Sequence, residues 1–292
     1  MTGRPRTLLL GLIGAGIDAS RSPAMHEEEA AAHGLRCVYQ RIDLERLGLT
    51  AEALPDLLTA AERTGFAGVN VTHPCKQAVM PLLTDLSDEA RAIGSVNTVV
   101  FAGGRRAGYN TDWSGFRQSV RDRLPGAGFG RVVQLGAGGA GAATAYAMLD
   151  LGVRELVVVD TIHERAGSLV NRLAAAYPGR VRAERAVSAA LPGAEGLIHA
   201  TPTGMSGHPG LPLPVSLLRR DLWVADVVYF PLETELLRAA TQLGCRTLDG
   251  AGMAVSQAAE AFRLFTGLQA DAGRMRSVFE SFDASPSPGR DR

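Results

Sequence analysis

Two kinds of hydrophobic spacing alternate along this chain: short apolar runs that stop at clusters of glycine, serine or asparagine, and longer stretches with helical periodicity between them. Thr7 to Ile13 is an apolar run that predicts a strand. Ser22-Pro23 then reads as an N-cap with proline at N1, opening a helix over Ala24 to His33. Val38 to Ile42 and Gly68 to Val71 predict further strands, with a helical stretch from Ala51 to Arg63 between them and another helix opening at Pro74. Val96 to Phe101 and Arg106 to Tyr109 flank Gly103-Gly104 as a hairpin, and Trp113 to Arg123 returns to helical spacing. Pro125-Gly126-Ala127-Gly128 reads as a linker. Beyond it come strands at Val132 to Leu135, Leu156 to Asp160, Gly196 to Ala200 and Trp223 to Val228, with helices at Ala140 to Leu151, Arg165 to Tyr177 and Thr234 to Leu243. This alternation predicts an α/β fold with parallel sheets in both halves.

Composition narrows the class. A chain of 292 residues with 46% hydrophobic content is long enough for two domains, and its zero net charge shows no basic block to meet nucleic acid or an anionic membrane. The polar start is followed by only a short apolar run, so neither a secretion signal nor a membrane span is expected, and the expected compartment is the cytoplasm. Cys37, Cys75 and Cys245 lack C-x-x-C spacing, which argues for buried thiols and against zinc; Cys75, next to Lys76, is the one with an alternative reading as a reactive thiol. No metal site is expected. The run from Asp283 to Arg292 has the composition of a disordered tail.

The second half carries a readable motif. The run Val132 to Leu135 leads into Gly136-Ala137-Gly138-Gly139-Ala140-Gly141 and an Ala-rich helix, placing G-x-G-x-x-G at a strand-to-helix turn where a pyrophosphate can approach backbone and helix N-terminus. Asp160 ends the next strand. An acid there can accept hydrogen bonds from ribose hydroxyls and repel a 2′-phosphate, so NAD is expected ahead of NADP. Arg165 complicates this, since it can meet a phosphate or stack on adenine, or simply be a solvated helix arginine.

The first half is expected to supply the substrate site. Lysine occurs once, as Lys76, in a chain that otherwise uses arginine for positive charge. Arginine cannot release its proton in a protein, whereas a lysine in a partly dehydrated site can act as acid or base. Lys76 closes the polar cluster beginning at Asn70, and two more clusters, Ser20-Arg21-Ser22 and Asn97-Thr98 with Asn110-Thr111-Asp112, also fall at predicted strand ends. Each has a plain structural reading: Ser22 as a helix cap, Asn97 as a turn residue, Asp112 as an N-cap for the helix at Trp113. Together the hydroxyls, amides, ammonium and carboxylate suit a small polyhydroxylated acid. His73 is a second possible base.

These motifs resemble the shikimate/quinate dehydrogenase family over about Gly11 to Gly267. The resemblance is carried by Ser20 to His26, Asn70 to Lys76, Ile93 to Thr98, Gly108 to Asp112, Gly136 to Gly141, Ala200 to Met205, Asp226 to Tyr229 and Gly250 to Gln257. It implies an N-terminal open α/β substrate domain over residues 1–114 and a Rossmann dinucleotide-binding domain over 115–250, with a cleft between them, and C-terminal helices over 251–282 returning to the substrate domain before the tail at 283–292. It implies that Lys76 and Asp112 form the catalytic pair, that Ser20 and Ser22 hold the substrate carboxylate with Tyr229 nearby, and that Thr72, Asn97 and Gln257 hold ring hydroxyls or that carboxylate. The glycine-rich run, Asp160, Arg165, Thr201 and Val228 are implied cofactor contacts, with Met205 and Gly250 along the nicotinamide end. Asp160-Thr161-Ile162-His163, where biosynthetic members carry a basic stretch, resembles the NAD-linked branch, as do Gly14 to Ser20, Tyr229 to Glu235 and Ala261 to Gly267. Ser22, where quinate-preferring members often have threonine, departs from it toward shikimate. The implied reaction is reversible oxidation of the ring 3-hydroxyl of shikimate, quinate or both. NADP, an aminated substrate, or a non-catalytic metabolite sensor on the same fold stand as alternatives, and the implied assembly is a monomer or homodimer.

Overall fold

The computed structural model describes residues 7–284. In chain order these begin with β1 (Thr7–Gly14), α1 (Ser22–Ala32), β2 (Arg36–Asp43) and α2 (Leu44–Leu47), then a 3-10 turn at Ala51–Ala53 and α3 (Leu54–Arg63). β3 (Gly68–Val71), α4 (Cys75–Ala78), β4 (Asp85–Leu86) and α5 (Asp88–Ile93) lead to the hairpin of β5 (Thr98–Ala102) and β6 (Arg105–Tyr109), and then to α6 (Asp112–Arg123). The later elements are β7 (Arg131–Leu135), α7 (Gly139–Asp150), β8 (Glu155–Val159), α8 (His163–Ala174), β9 (Val181–Glu184), α9 (Val187–Ala190) and β10 (Gly196–His199). The series ends with β11 (Trp223–Asp226), α10 (Glu235–Gln242), β12 (Arg246–Leu248), α11 (Ala251–Thr266) and α12 (Ala272–Ala284).

Among the described residues the strands make two six-stranded sheets, ordered β2-β1-β3-β5-β6-β4 and β12-β11-β10-β7-β8-β9. Every pairing in the second sheet is parallel. Its order is that of a doubly wound dinucleotide fold, with the reversal of winding between β7 and β10. The first sheet is parallel at β1–β2 and β1–β3 but antiparallel at β3–β5, so the expectation of parallel pairing holds there only for β1. β6 then follows β5 through a tight hairpin at Gly103 and Gly104, both at positive φ (57° and 74°). The edge strands β9 and β12 escape the apolar pattern because Arg182, Glu184 and Arg246 occupy them, as is common at sheet edges.

The chain divides into two compact units, one comprising Met1–Asp85, Asn97–Gly108 and Ala258–Arg292, the other Leu86–Val96 and Tyr109–Gln257. This differs from boundaries at 114 and 250. Asn110 is the cause at the first: its amide donates to Ser95 O at 3.0 Å and Ser95 Oγ at 2.9 Å, joining the 95 and 110 segments within the second unit. Ile93, Phe116 and Val120 then pack in one core with Met148, Leu149 and Leu156. The second change of unit falls inside α11, after Gln257. In the first unit, Leu8, Leu10 and Leu12 of β1 pack with Tyr39 and with Ala261 and Phe265 of α11. Of the expected tail, Asp283 and Ala284 end α12, and 285–292 lie outside the described residues.

Candidate active site

In the first unit, topology gathers the polar clusters at one sheet edge. β1 and β3 run parallel with Ile13 beside Val71, and β5 runs antiparallel to β3 with Thr98 beside Asn70. The end of β1, the end of β3 and the start of β5 therefore share an edge, where Thr72 and Asn97 stand, and α4 with Lys76 begins three residues after Thr72. The Thr72 N–H donates to Ile13 O at 2.9 Å, and the Val71 N–H donates to Asn97 O at 2.8 Å. Lys76 is the second residue of α4 and is partly buried. A buried network backs this edge. Tyr39 donates its hydroxyl to Asn70 Oδ1 at 2.8 Å, the Asn70 amide donates to Asn97 O and Thr98 Oγ1, and Thr98 donates to Asn97 Oδ1 at 3.0 Å. His26 stacks on Tyr39 at 4.9 Å, and complete burial pushes its pKa down to about 3, so it stands in this unit as a neutral packing residue.

Ser20 sits on the loop from β1 to α1, and Ser22 is the first residue of α1. Asp43, at the end of β2, fixes that loop: its carboxylate accepts the N–H groups of Ile17 (2.8 Å) and Gly16 (3.1 Å), as well as that of Glu45 (3.0 Å). Burial opposes the Asp43 charge, but these backbone bonds outweigh it and hold the carboxyl below its ordinary range. Ser22 is not the helix cap. Arg21 occupies that position without a side-chain cap bond, Ser22 and Pro23 are the first helical residues, and the Ser20 hydroxyl accepts the Ser22 N–H at 3.3 Å. The Arg21 guanidinium is buried against α12, donating to Phe279 O at 2.8 Å and lying 4.5 Å over the Phe279 ring. The three residues thus divide their work: one hydroxyl at the end of the fixed loop, one at the start of α1, and one anchor between them. Burial pushes the Cys75 thiol up to about 11, which rules against a reactive thiolate. Cys37, expected to be buried, is only partly so, and burial with Glu27 nearby pushes its thiol up to about 12.

In the second unit, Asp112 is the first residue of α6 and is buried, with Thr111 in the cap position. The expected cap role belongs instead to Asn110, whose Oδ1 accepts the N–H groups of Asp112 (3.1 Å) and Trp113 (3.4 Å). Gln257 stands on α11 beside this turn, 3.4 Å from the Thr111 hydroxyl.

The remaining expected residues follow the C-terminal ends of five parallel strands: Gly136 to Gly141 after β7, Asp160 after β8, Thr201 and Met205 after β10, Val228 and Tyr229 after β11, Gly250 after β12. Ligands of doubly wound sheets bind at such ends. The glycine turn needs its glycines. Gly136 has φ 102°, and a side chain there would meet Ala200 O at 2.4 Å; one at Gly141 would meet Gly136 O at 2.2 Å. At Gly138 the same position faces open space, so a ligand can approach the backbone. Asp160 closes the turn, accepting the N–H groups of Ala137 at 2.8 Å and Ile162 at 2.9 Å. A carboxylate has about four acceptor sites, so capacity for ribose hydroxyls is left. Arg165 is exposed on the first turn of α8. Tyr229 and Met205 are exposed and Val228 is buried.

Sequence reasoning missed Gln134. Fully buried in β7, it donates to Gly136 O (2.9 Å) and Gly141 O (2.7 Å) and accepts the Thr144 hydroxyl (2.9 Å), tying both ends of the glycine turn together. The signal was present as a single polar residue interrupting an apolar strand. This strand–turn–helix cradle fits a dinucleotide, and Asp160 fits its ribose.

Known proteins match along nearly the whole chain. The family model for the shikimate dehydrogenase substrate binding domain matches residues 12–99, and that for the shikimate 5′-dehydrogenase C-terminal domain matches residues 250–278. The chain is 56% identical to shikimate dehydrogenase (NADP(+)) of Streptomyces avermitilis, covering 91% of this chain and 93% of that one. It is 50% identical to quinate/shikimate dehydrogenase (NAD(+)) of Corynebacterium glutamicum strain R, covering 94% and 99%. Among solved structures, quinate dehydrogenase from Corynebacterium glutamicum in complex with NAD aligns with a TM-score of 0.88 at 49% identity, covering 94% and 99%. At such identity over such coverage, this chain belongs to the shikimate dehydrogenase family.

Proposed function

We propose that the protein is an NAD-dependent oxidoreductase that reversibly oxidises the ring 3-hydroxyl of shikimate, quinate or both to the 3-dehydro acid. The observation that supports this reading is the shared strand end at which Thr72 and Asn97 stand and just after which α4, carrying the chain's one lysine, Lys76, begins. The glycine turn would hold the pyrophosphate of NAD, whose nicotinamide would supply the hydride acceptor. The protein must handle the proton. Lys76 takes it from the substrate hydroxyl and Asp112 is its partner carboxylate, orienting the hydroxyl and stabilising the protonated lysine. Ser20 and Ser22 hold the substrate carboxylate with Tyr229, and Thr72, Asn97 and Gln257 select the hydroxyl pattern. Thr201, Met205, Val228 and Gly250 line the nicotinamide side. The expected setting is the cytoplasm, with the protein acting as a monomer or homodimer; no described helix is long and apolar enough to cross a membrane.

Asp160 supports NAD, since its charge opposes a 2′-phosphate. A second reading, use of NADP, is favoured by the NADP-named Streptomyces relative and by Arg165 exposed near Asp160 in sequence. One experiment separates them. Purified protein is assayed by nicotinamide absorbance with each acid and each cofactor; NAD should give the higher kcat/KM. Preference for NADP would favour the second reading, and binding without turnover of either acid would make the protein a sensor.

A further inference from the structure

A buried polar network outside the proton-transfer machinery joins the ends of β10 and β11. His199 and Asp226 are paired across these strands, and their side chains are both fully inaccessible. His199 Nδ1 lies 2.9 Å from Asp226 Oδ1, and Nε2 lies 2.5 Å from Thr201 Oγ1. Asp226 is also held by its own loop: Oδ1 accepts the Val228 N–H at 3.0 Å and Oδ2 accepts the Thr234 hydroxyl at 2.7 Å. Thr234 in turn caps α10 by accepting the Leu237 N–H at 3.2 Å.

The chemistry of these groups fixes the direction of the bonds. A carboxylate accepts, so the ring donates its Nδ1–H to Asp226, and in the tautomer with its single hydrogen there Nε2 is an acceptor. The Thr201 hydroxyl must then donate inward to Nε2. Its oxygen also accepts the Thr203 N–H at 3.4 Å. Thr201 lies against the glycine turn: a side-chain carbon built on Gly136 would stand 3.0 Å from Thr201 Cγ2. An apolar pair would close two strand ends equally well, whereas a fully bonded polar pair specifies a single geometry.

We propose that His199, held by Asp226, is a positioning residue for the dinucleotide: it fixes Thr201 against Gly136 and turns the threonine hydroxyl hydrogen inward, so that the oxygen meets the cofactor as an acceptor. The inference rests on the reading of Thr201 as a cofactor contact. Asp226 also holds the Val228 N–H, so the same dyad sets the second strand end expected to face the nicotinamide.

The test is NAD binding by full-length protein, measured by calorimetry, beside steady-state kinetics and Tm. Thr201→Val removes the hydroxyl while keeping the shape, and should weaken NAD binding about tenfold, with the KM for shikimate changed less than twofold. His199→Phe should do the same, and the double variant should bind no worse than either single one, because the histidine acts through the threonine. His199→Gln, whose longer amide can present an oxygen near the Nε2 position to accept from Thr201, should restore more of the affinity than His199→Phe leaves. If His199→Phe does not fold, 15N NMR of the wild-type ring decides: protonation at Nδ1 only, with an Nε2 signal displaced in Thr201→Val, supports the proposal, and protonation at Nε2, alone or together with Nδ1, overturns it. Additive losses, or His199 variants that lower Tm and leave NAD binding unchanged, overturn it too. Wild-type protein that binds neither NAD nor NADP would instead sink the dehydrogenase reading, and this inference with it; normal wild-type binding and turnover that Thr201→Val leaves intact sinks the inference alone.

Discussion

At the scale of single residues, Lys76 allows charge and proton transfer to be separated. Lys76→Ala should reduce kcat by at least ~10² while acid affinity stays within about tenfold, since general acid–base catalysis contributes 10²–10⁴. Lys76→Arg keeps the charge and loses the removable proton, so near-normal turnover in that variant would refute the assignment. For Ser22 the structure sharpens the expectation by removing the cap reading. A hydrogen bond to a carboxylate is worth roughly 1.5–3 kcal/mol, so Ser22→Ala should raise the KM for the acid about ten- to a hundredfold with Tm unchanged; a fall in Tm with KM intact would restore the structural role. Asp160 has more than one task, because its oxygens already accept backbone N–H groups from Ala137 and Ile162. Asp160→Asn places an amide donor against one of those donors. The NAD/NADP ratio of kcat/KM should fall by about an order of magnitude or more through lost repulsion of the 2′-phosphate, and the loosened turn should also weaken NAD binding. Parallel measurements with both cofactors at fixed ionic strength check this, and an unchanged ratio would remove Asp160 from cofactor selection. Spacing alone marked Asp160 as a strand-terminal acid; what its oxygens touch depends on where the neighbouring turn folds back.

At the scale of elements, the loop from β1 to α1 shows how a strand end fixes a site from outside it. Asp43 belongs to β2 yet holds Gly16 and Ile17, a few residues before Ser20. Asp43→Ala should therefore raise the KM for the acid severalfold without a matching change in the KM for NAD; equal effects on both would mean general unfolding. Its folded pKa is depressed, so its stabilisation is present in full above the ordinary carboxylate range and is lost as pH falls through the depressed folded value. The stability gap between wild type and Asp43→Ala should then be widest near neutral pH and shrink in acid, as urea midpoints across that range would report. A gap that widened in acid would contradict the assignment. Such contacts were not legible in the sequence, because Asp43 and Ile17 meet only through the parallel register of β1 and β2. The caps failed for a related reason: Ser22 and Asp112 have the right residue type, but the chain enters each helix one residue earlier, so Arg21 and Thr111 take the cap positions.

At the scale of the whole molecule, what was legible follows from periodicity and what was not follows from distance along the chain. The apolar runs gave the long strands and the glycine turn, since both are local patterns, and the resemblance supplied roles for residues such as Gln257 that no local pattern explains. The division into units was placed differently because Asn110 binds back to Ser95 across a hairpin. The expected cofactor residues all stand in the second unit, and Ser20, Ser22, Thr72, Lys76 and Asn97 stand in the first. Each ligand should consequently stabilise the protein by itself. At about 100 times its Kd a ligand adds about 2.7 kcal/mol, which raises Tm by several degrees in a chain of this size. NAD alone should give that shift in wild type and equally in Ser20→Ala, whose altered group lies in the first unit. Gly141→Val forces a side chain against Gly136 O, opens the turn, and should abolish the NAD shift while the shikimate shift persists. Differential scanning fluorimetry of the three proteins with each ligand reads this directly. A Ser20→Ala protein that loses its NAD shift, or a Gly141→Val protein that keeps it, would show that the two ligands do not depend on separate sets of residues.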